Sequence, residues 1–260
     1  MPNSAKPLKS SLSDEMLLSK LLEEQNRRTI DARLASDLPF FAGSALKLRP
    51  KAGPLEPFVF NAAQRVLHDK LEQLKATTGV VRVLVLKARQ LGISTYVAGR
   101  FFHRTIGNPG LRTIIIGHER RASSNLFGIV KRFYDHMDET RPSIGTSNAE
   151  ELVFDQLDSG YIVSVATNEG TGRSATAQQL HASEAAFWAD LPLQAASLMQ
   201  TVPDIPGTEI IIESTANGYN DFHAMWRKAE AGEGAQALSH AKVKDISKKM
   251  LLKYQKLVKR

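Results

Sequence analysis

The 260-residue chain contains no cysteine, so it forms no disulfide and offers no thiolate ligand to zinc, which fits a reducing compartment. It has no apolar run long enough to cross a bilayer, and its polar, Ser- and Lys-rich N-terminus is unlike a secretory leader. Its body also lacks an excess of either charge. The net charge is +7, but residues 242–260 hold eight basic side chains against Asp245 alone, leaving 26 basic and 26 acidic groups elsewhere. The high pI is therefore a property of the tail and does not make the folded body a nucleic-acid surface. No internal repeat is visible. With 42% hydrophobic and 23% charged residues, the composition is that of a globular protein with room for one large α/β domain and appendages.

The stretch around which the rest is organised begins Val80-Val81-Arg82-Val83-Leu84-Val85-Leu86, the pattern of a strand buried on both faces of a parallel sheet. Lys87-Ala88-Arg89-Gln90-Leu91-Gly92 then turns polar around one glycine. A helix follows, with Val97, Ala98, Phe101, Phe102 and Ile106 on its apolar side and Gly107-Asn108-Pro109-Gly110 as its stop. Strand, glycine loop, Ser94-Thr95 and helix make the layout of a phosphate-binding loop, where backbone N–H groups and the positive helix end receive an anion. The usual pattern is Gly-x-x-x-x-Gly-Lys-Ser/Thr. Aligned on Gly92 and Ser94, this chain has Lys87 in place of the first Gly and Ile93 in place of the Lys. The chemistry is met if Lys87 swings its ammonium across the loop while Ser94 keeps the Mg²⁺ role. An ordinary strand-to-helix turn fits the same residues.

Upstream, Ser13 reads as an N-cap with Asp14 and Glu15 in the first turn and Leu17, Leu18, Leu21 and Leu22 as a stripe. That helix should run to Arg33 or Leu34 and end at Asp37-Leu38-Pro39. Residues 39–57, with four Pro and two Gly, read as a connector with one short strand at 45–48. Asn61 opens another helix, with Gln64 either its capping-box partner or an amide that grips an adenine edge. Downstream, residues 112–117 and 208–213 read as buried strands, and 121–137, 185–200 (interrupted at Pro192) and 219–231 as helices. Residues 152–155 and 161–166 form a hairpin around Asp158-Ser159-Gly160, and 175–182 form a less apolar strand. This alternation means a parallel or mixed sheet with helices on both faces.

Two further segments carry chemistry. Gln179-Leu180-His181-Ala182-Ser183-Glu184 stands where an ATPase places its acidic strand end, facing the phosphate loop. Glu184 there orients or deprotonates the attacking water, or else is merely the first-turn acid of the next helix. Ser183 takes the place of the acid that usually precedes it, so the metal would rest on Ser94, phosphate oxygens, water and at most that hydroxyl. Ser214, Thr215, Ala216, Asn217 and Gly218, after Glu213, are either a sensor of the γ-phosphate or an N-cap cluster for the helix at Tyr219. Arg173, in Gly170-Thr171-Gly172-Arg173, is either a charge-stabilising arginine or a solvated one.

These three segments, in this order and spacing, resemble the ATPase part of the large subunit of tailed-phage terminases, from Phe60-Asn61-Ala62-Ala63-Gln64, which looks like that family's adenine motif, to about Glu233. The resemblance implies a P-loop NTPase of the additional-strand, catalytic-glutamate type. This is a three-layer sandwich with a mostly parallel central sheet, preceded here by an N-terminal helical arm and linker (1–56) and followed by a basic amphipathic tail (234–260). It gives Gln64 the adenine. The phosphates fall to Lys87, Arg89, Gln90, Gly92, Ile93, Ser94 and Thr95, with Arg89 touching either phosphate or the sensing loop. Mg²⁺ falls to Ser94 and Ser183, the catalytic roles to Glu184, Lys87 and Arg173, and coupling to residues 214–218. The implied partners are double-stranded DNA, the terminase small subunit, the portal of the procapsid and further copies in a ring, in the cytoplasm of a bacterial host. The family's nuclease domain has no counterpart in the 27 residues after Glu233, whose single acid is Asp245, so no DNA cleavage is expected. A helicase-like translocase, or a remnant that binds without turnover, are the alternatives.

Overall fold

The computed structural model describes residues 11–138, 141–166 and 176–231. The chain opens with α1 (Ser11–Ser36), which begins two residues before the expected cap and whose side chains are exposed from Met16 through Arg33. Asp37 ends it but does not lead into a connector. Its Oδ1 accepts from the Phe40 amide at 2.9 Å, and Pro39 lies in the first turn of α2 (Leu38–Ala45). The irregular segment expected over 39–57 is corrected to that extent, because a first-turn proline has no helical N–H bond to lose and starts a helix as readily as it stops one. Next, β1 (Lys47–Leu48) and β2 (Glu56–Pro57) pair antiparallel. Then α3 (Ala62–Thr78) is closed by the Asn61/Gln64 capping box and ended by Gly79 at φ 75°.

The body alternates as the apolar runs predict: β3 (Val81–Leu86), α4 (Ile93–Gly107), β4 (Arg112–Gly117), α5 (Arg120–Asp135), β5 (Thr146–Ser147), β6 (Glu151–Phe154), β7 (Ser159–Val165) and β8 (Gln179–Ser183). After β8 the helix expected over 185–200 with an interruption at Pro192 is a 3₁₀ turn (Ala185–Phe187), a break and α6 (Leu191–Thr201). The break falls at Asp190, held at φ 50°, and Pro192 again sits in a first turn. β9 (Glu209–Ser214) and α7 (Asp221–Ala231) complete the described chain.

The main sheet has the order β3-β9-β8-β4-β7-β6-β5, with the first five strands parallel and the last two antiparallel. Alternation along each strand sends Val81, Val83, Val85, Ile115 and Ile211 to a core shared with α3, α4 and α5. Leu84, Ile114, Ile116, Leu180, Ile210 and Ile212 go to a second core under α6 and α7. Burial on both faces is what made these strands unbroken apolar runs. Leu38, Phe41, Ala42 and Leu46 belong to the first core and Leu48 packs against it, so α2 and β1 are part of the body, whereas α1 is exposed along most of its length.

Candidate active site

Parallel pairing brings the carboxyl ends of β3, β9 and β8 to one edge, with β9 as the additional strand between the other two. An open α/β sheet presents ligand sites along that edge. Residues 87–92 leave β3 there and turn back into α4 through two left-handed residues, Gln90 at φ 67° and Gly92 at φ 70°. Gly92 is favoured on two counts. Its φ suits glycine, and a Cβ there would lie 2.6 Å from Gln64 Nε2. The Ile93 side chain is buried in the core, so that position cannot carry the lysine's role.

Lys87 does reach the site. Its Nζ lies 2.9 Å from Ser94 Oγ, 3.2 Å from Glu184 Oε1 and 2.5 Å from Glu213 Oε2. Burial pushes its pKa down, but the two carboxylates outweigh burial and raise it, so Lys87 is a firmly held cation. Glu213 is fully buried. Its Oε1 accepts from Ser94 Oγ and from Ser183 Oγ, each at 2.7 Å, and lies 3.3 Å from His181 Nε2. Burial alone would raise its pKa; the His181 hydrogen bond and the Lys87 charge bring it down to about 2.

Glu184 follows β8 at φ 54° and ψ 41°, a left-handed conformation uncommon for a residue with a side chain. Its carboxylate points back at the loop, with Oε1 on Lys87 and Oε2 accepting from the Thr215 amide at 3.3 Å and the Thr215 hydroxyl at 3.1 Å. Thus it is not simply the first-turn acid of a helix. Nor do residues 214–218 cap α7, where Asn220 accepts from the His223 amide. Ser214 Oγ instead accepts from the Ala186 amide at 3.0 Å, and Asn217 Nδ2 donates to the Ala186 carbonyl at 3.0 Å, tying this run to the turn that carries Glu184. Ala216 is half-buried and Gly218 exposed.

The remaining expected residues lie around the rim. Gln64 forms the capping box, its Oε1 accepting from the Asn61 amide at 2.9 Å, and its Nε2 also donates to the Gly92 carbonyl at 2.8 Å, bracing the loop from α3. Arg89 and Gln90 are exposed, Gln90 accepting from Lys51, and Thr95 is half-buried. Arg173 and the tail lie outside the described residues.

Sequence reasoning missed Glu213 and His181. Both lie in strands on the face turned towards α4, and the available signal was a carboxylate at the last inward position of β9, in phase with Ile211. Among the described residues no three His, Cys, Asp or Glu side chains group as a metal site. The oxygens present still suit Mg²⁺. Ser94 donates its hydrogen bond to a buried carboxylate and accepts one from Lys87, leaving one lone pair for a hard cation that prefers oxygen, phosphate and water.

No protein-family model matches the sequence, and no curated protein resembles it significantly. Solved structures do match. The large terminase of bacteriophage HK97 superposes with a TM-score of 0.63 at 14% identity, covering 83% of this chain and 46% of that one. The large terminase of a thermophilic bacteriophage matches with a TM-score of 0.54 at 11% identity, covering 77% and 50%. The complex of that second terminase with ADP gives 0.52 at 12% identity, covering 76% and 50%. The chain thus spans about half the length of the terminases it matches. The motifs and the three-dimensional likeness point the same way, and at these identities what is shared is the architecture: this chain has the fold of the bacteriophage large terminases.

Proposed function

We propose that this chain is the ATP-hydrolysing motor part of a phage terminase large subunit, with residues 57–233 as the ATPase unit. The observation that carries the reading is the convergence of Lys87, Ser94 and Glu184 beside the glycine loop, with Thr215 bound to the far side of the Glu184 carboxylate. The loop amides at the start of α4 and the Lys87 ammonium receive the phosphates. Phosphate oxygens compete with the two carboxylates for the three N–H donors of Lys87, and taking that cation frees Glu184 Oε1 to hold a water in line with the γ-phosphate. Mg²⁺, held by Ser94 with Ser183 nearby, supplies charge neutralisation between the phosphates when bound. Gln64 is assigned to the adenine, Arg89, Gln90, Gly92, Ile93 and Thr95 to the phosphate cradle, and Arg173 to transition-state charge. Thr215, touching Glu184, couples hydrolysis to movement through residues 214–218. The work done is translocation of double-stranded DNA into a procapsid by a ring of copies docked on the portal, with a small subunit delivering the DNA, in the host cytoplasm.

Phosphate release tests the hydrolytic core. Lys87→Ala and Glu184→Gln are each expected to lower the rate at least about 100-fold, Glu184→Gln while still binding nucleotide. Rates indistinguishable from wild type would overturn the reading.

A further inference from the structure

The acidic strand end of this chain is one carboxylate short, because Ser183 stands where an acid usually helps to hold the metal. The neighbouring strand supplies one. Glu213 pairs directly across from Ser183 in the β8–β9 register and is fully buried. Since β9 lies between β3 and β8, its side chain enters between the loop and Glu184. There Oε1 accepts hydrogen bonds from the Ser94 and Ser183 hydroxyls at 2.7 Å each, and Oε2 meets Lys87 at 2.5 Å.

We propose that Glu213 is a positioning residue that replaces the missing acid at 183, orienting Ser94 towards a metal–nucleotide complex while competing with phosphate for Lys87. The inference rests on the ATPase reading above. A serine hydroxyl has one proton and two lone pairs. With its proton committed to Glu213 and one lone pair accepting from the Lys87 ammonium, the Ser94 oxygen keeps its second lone pair for whatever approaches from the loop side. Lys87 has three N–H donors and three neighbours in Ser94, Glu184 and Glu213, so its donors are engaged until phosphate displaces one. Removing the Glu213 charge therefore has two opposite effects. Ser94 loses its orientation, which weakens the contribution of Mg²⁺ to binding. Lys87 is released, which leaves metal-free nucleotide binding intact or stronger. A purely structural role would weaken both.

The test is titration of the full chain with a fluorescent ADP analogue, with and without Mg²⁺, alongside a thermal melt of each variant. In wild type, Mg²⁺ is expected to tighten binding. In Glu213→Gln that gain should fall roughly 10- to 100-fold, the usual effect of losing an outer-shell metal partner, with metal-free affinity no weaker than wild type. Ser183→Asp combined with Glu213→Gln, which returns the acid to its usual strand, should restore most of the gain. A folded Glu213→Gln that keeps the wild-type gain overturns the proposal, as does equal loss of metal-free and metal-bound affinity. If Glu213→Gln does not fold, Glu213→Asp decides, since it keeps the charge but withdraws it from Ser94. A reduced gain supports the proposal and an undiminished one overturns it. A wild-type chain that binds no nucleotide under either condition removes the ATPase reading itself, an outcome separate from these.

Discussion

At the scale of single residues, Gln64 and Glu213 show how much a side chain can hold. The Gln64 side chain makes two hydrogen bonds, one that closes the capping box of α3 and one to the Gly92 carbonyl that joins α3 to the phosphate loop. Gln64→Ala loses a cap bond worth about 1 kcal/mol and strands the loop contact for about 1 more. A fall of about 5 °C in Tm is expected by calorimetry. A relaxed preference for ATP over GTP in the same variant would add the adenine role to the cap, and an unchanged preference would remove it. Glu213 carries a pH signature. Its folded pKa of about 2 lies below its unfolded value, so its stabilisation is complete above pH about 4.5 and is lost as pH falls towards 2. The difference is on the order of 3 kcal/mol. Acid unfolding of wild type should therefore steepen between those limits relative to Glu213→Gln, and superimposable acid profiles would refute the assignment. The convergence of Lys87, Ser94 and Glu184 was legible in the sequence, because each stands at a motif position. Glu213 was not, because its partners Lys87, Ser94 and Ser183 come from distant segments and only the sheet order brings them together.

At the scale of elements, the strands were legible where both faces are apolar and blurred where one is not. β8 looked weak because Gln179, His181 and Ser183 interrupt its apolar run. Those side chains face α4, and Thr105, Thr113 and Glu213 bond Gln179 Nε2, His181 Nε2 and Ser183 Oγ there. α2 was missed, and the interruption expected at Pro192 falls just before it, because a proline in a first turn and one ending a helix look alike in sequence. A second buried charge ties three elements together. Arg100 of α4, 2% exposed, donates from Nε and Nη2 to Glu209 of β9 at 2.7 and 2.9 Å. It also pairs with Glu72 of α3, and Arg104 pairs with Glu209 as well. Glu209 shares its face of β9 with Glu213, so this pairing fixes the strand that carries the site carboxylate. Glu209→Ala leaves a buried guanidinium without its main partner and should cost about 3–5 kcal/mol in urea unfolding. Arg100→Met together with Glu209→Met should cost less than Glu209→Ala alone, because the fully buried Arg100 guanidinium is then removed with its main partner and only Arg104, at the margin of the cluster, loses Glu209.

At the scale of the whole molecule, the distribution of charge decides how DNA would be held. The chain outside residues 242–260 is balanced, 26 basic against 26 acidic, while that short segment has eight basic side chains and one acid. Within the body, moreover, many of the basic groups are already occupied. Lys87, Arg82, Arg100, Arg104, Arg112 and Arg120 all sit in ion pairs. A duplex is bound non-specifically by cations that displace its condensed counterions, and the slope of log K against log salt is about −0.9 per phosphate neutralised. If the tail makes these contacts, a chain ending at residue 241 should lose up to about 6 from the magnitude of that slope. Its basal ATP turnover should not change, since Lys87, Ser94, Glu184 and Glu213 all lie within the described body. Fluorescence anisotropy of a labelled duplex across a salt series reads the slope, and phosphate release reads the turnover. An unchanged slope would assign the DNA contact to a local basic patch on the body. A lower slope with unchanged turnover would separate the grip on DNA from the hydrolytic site, and coupling between them would then have to pass through the strand ends at Thr215 rather than through shared charge.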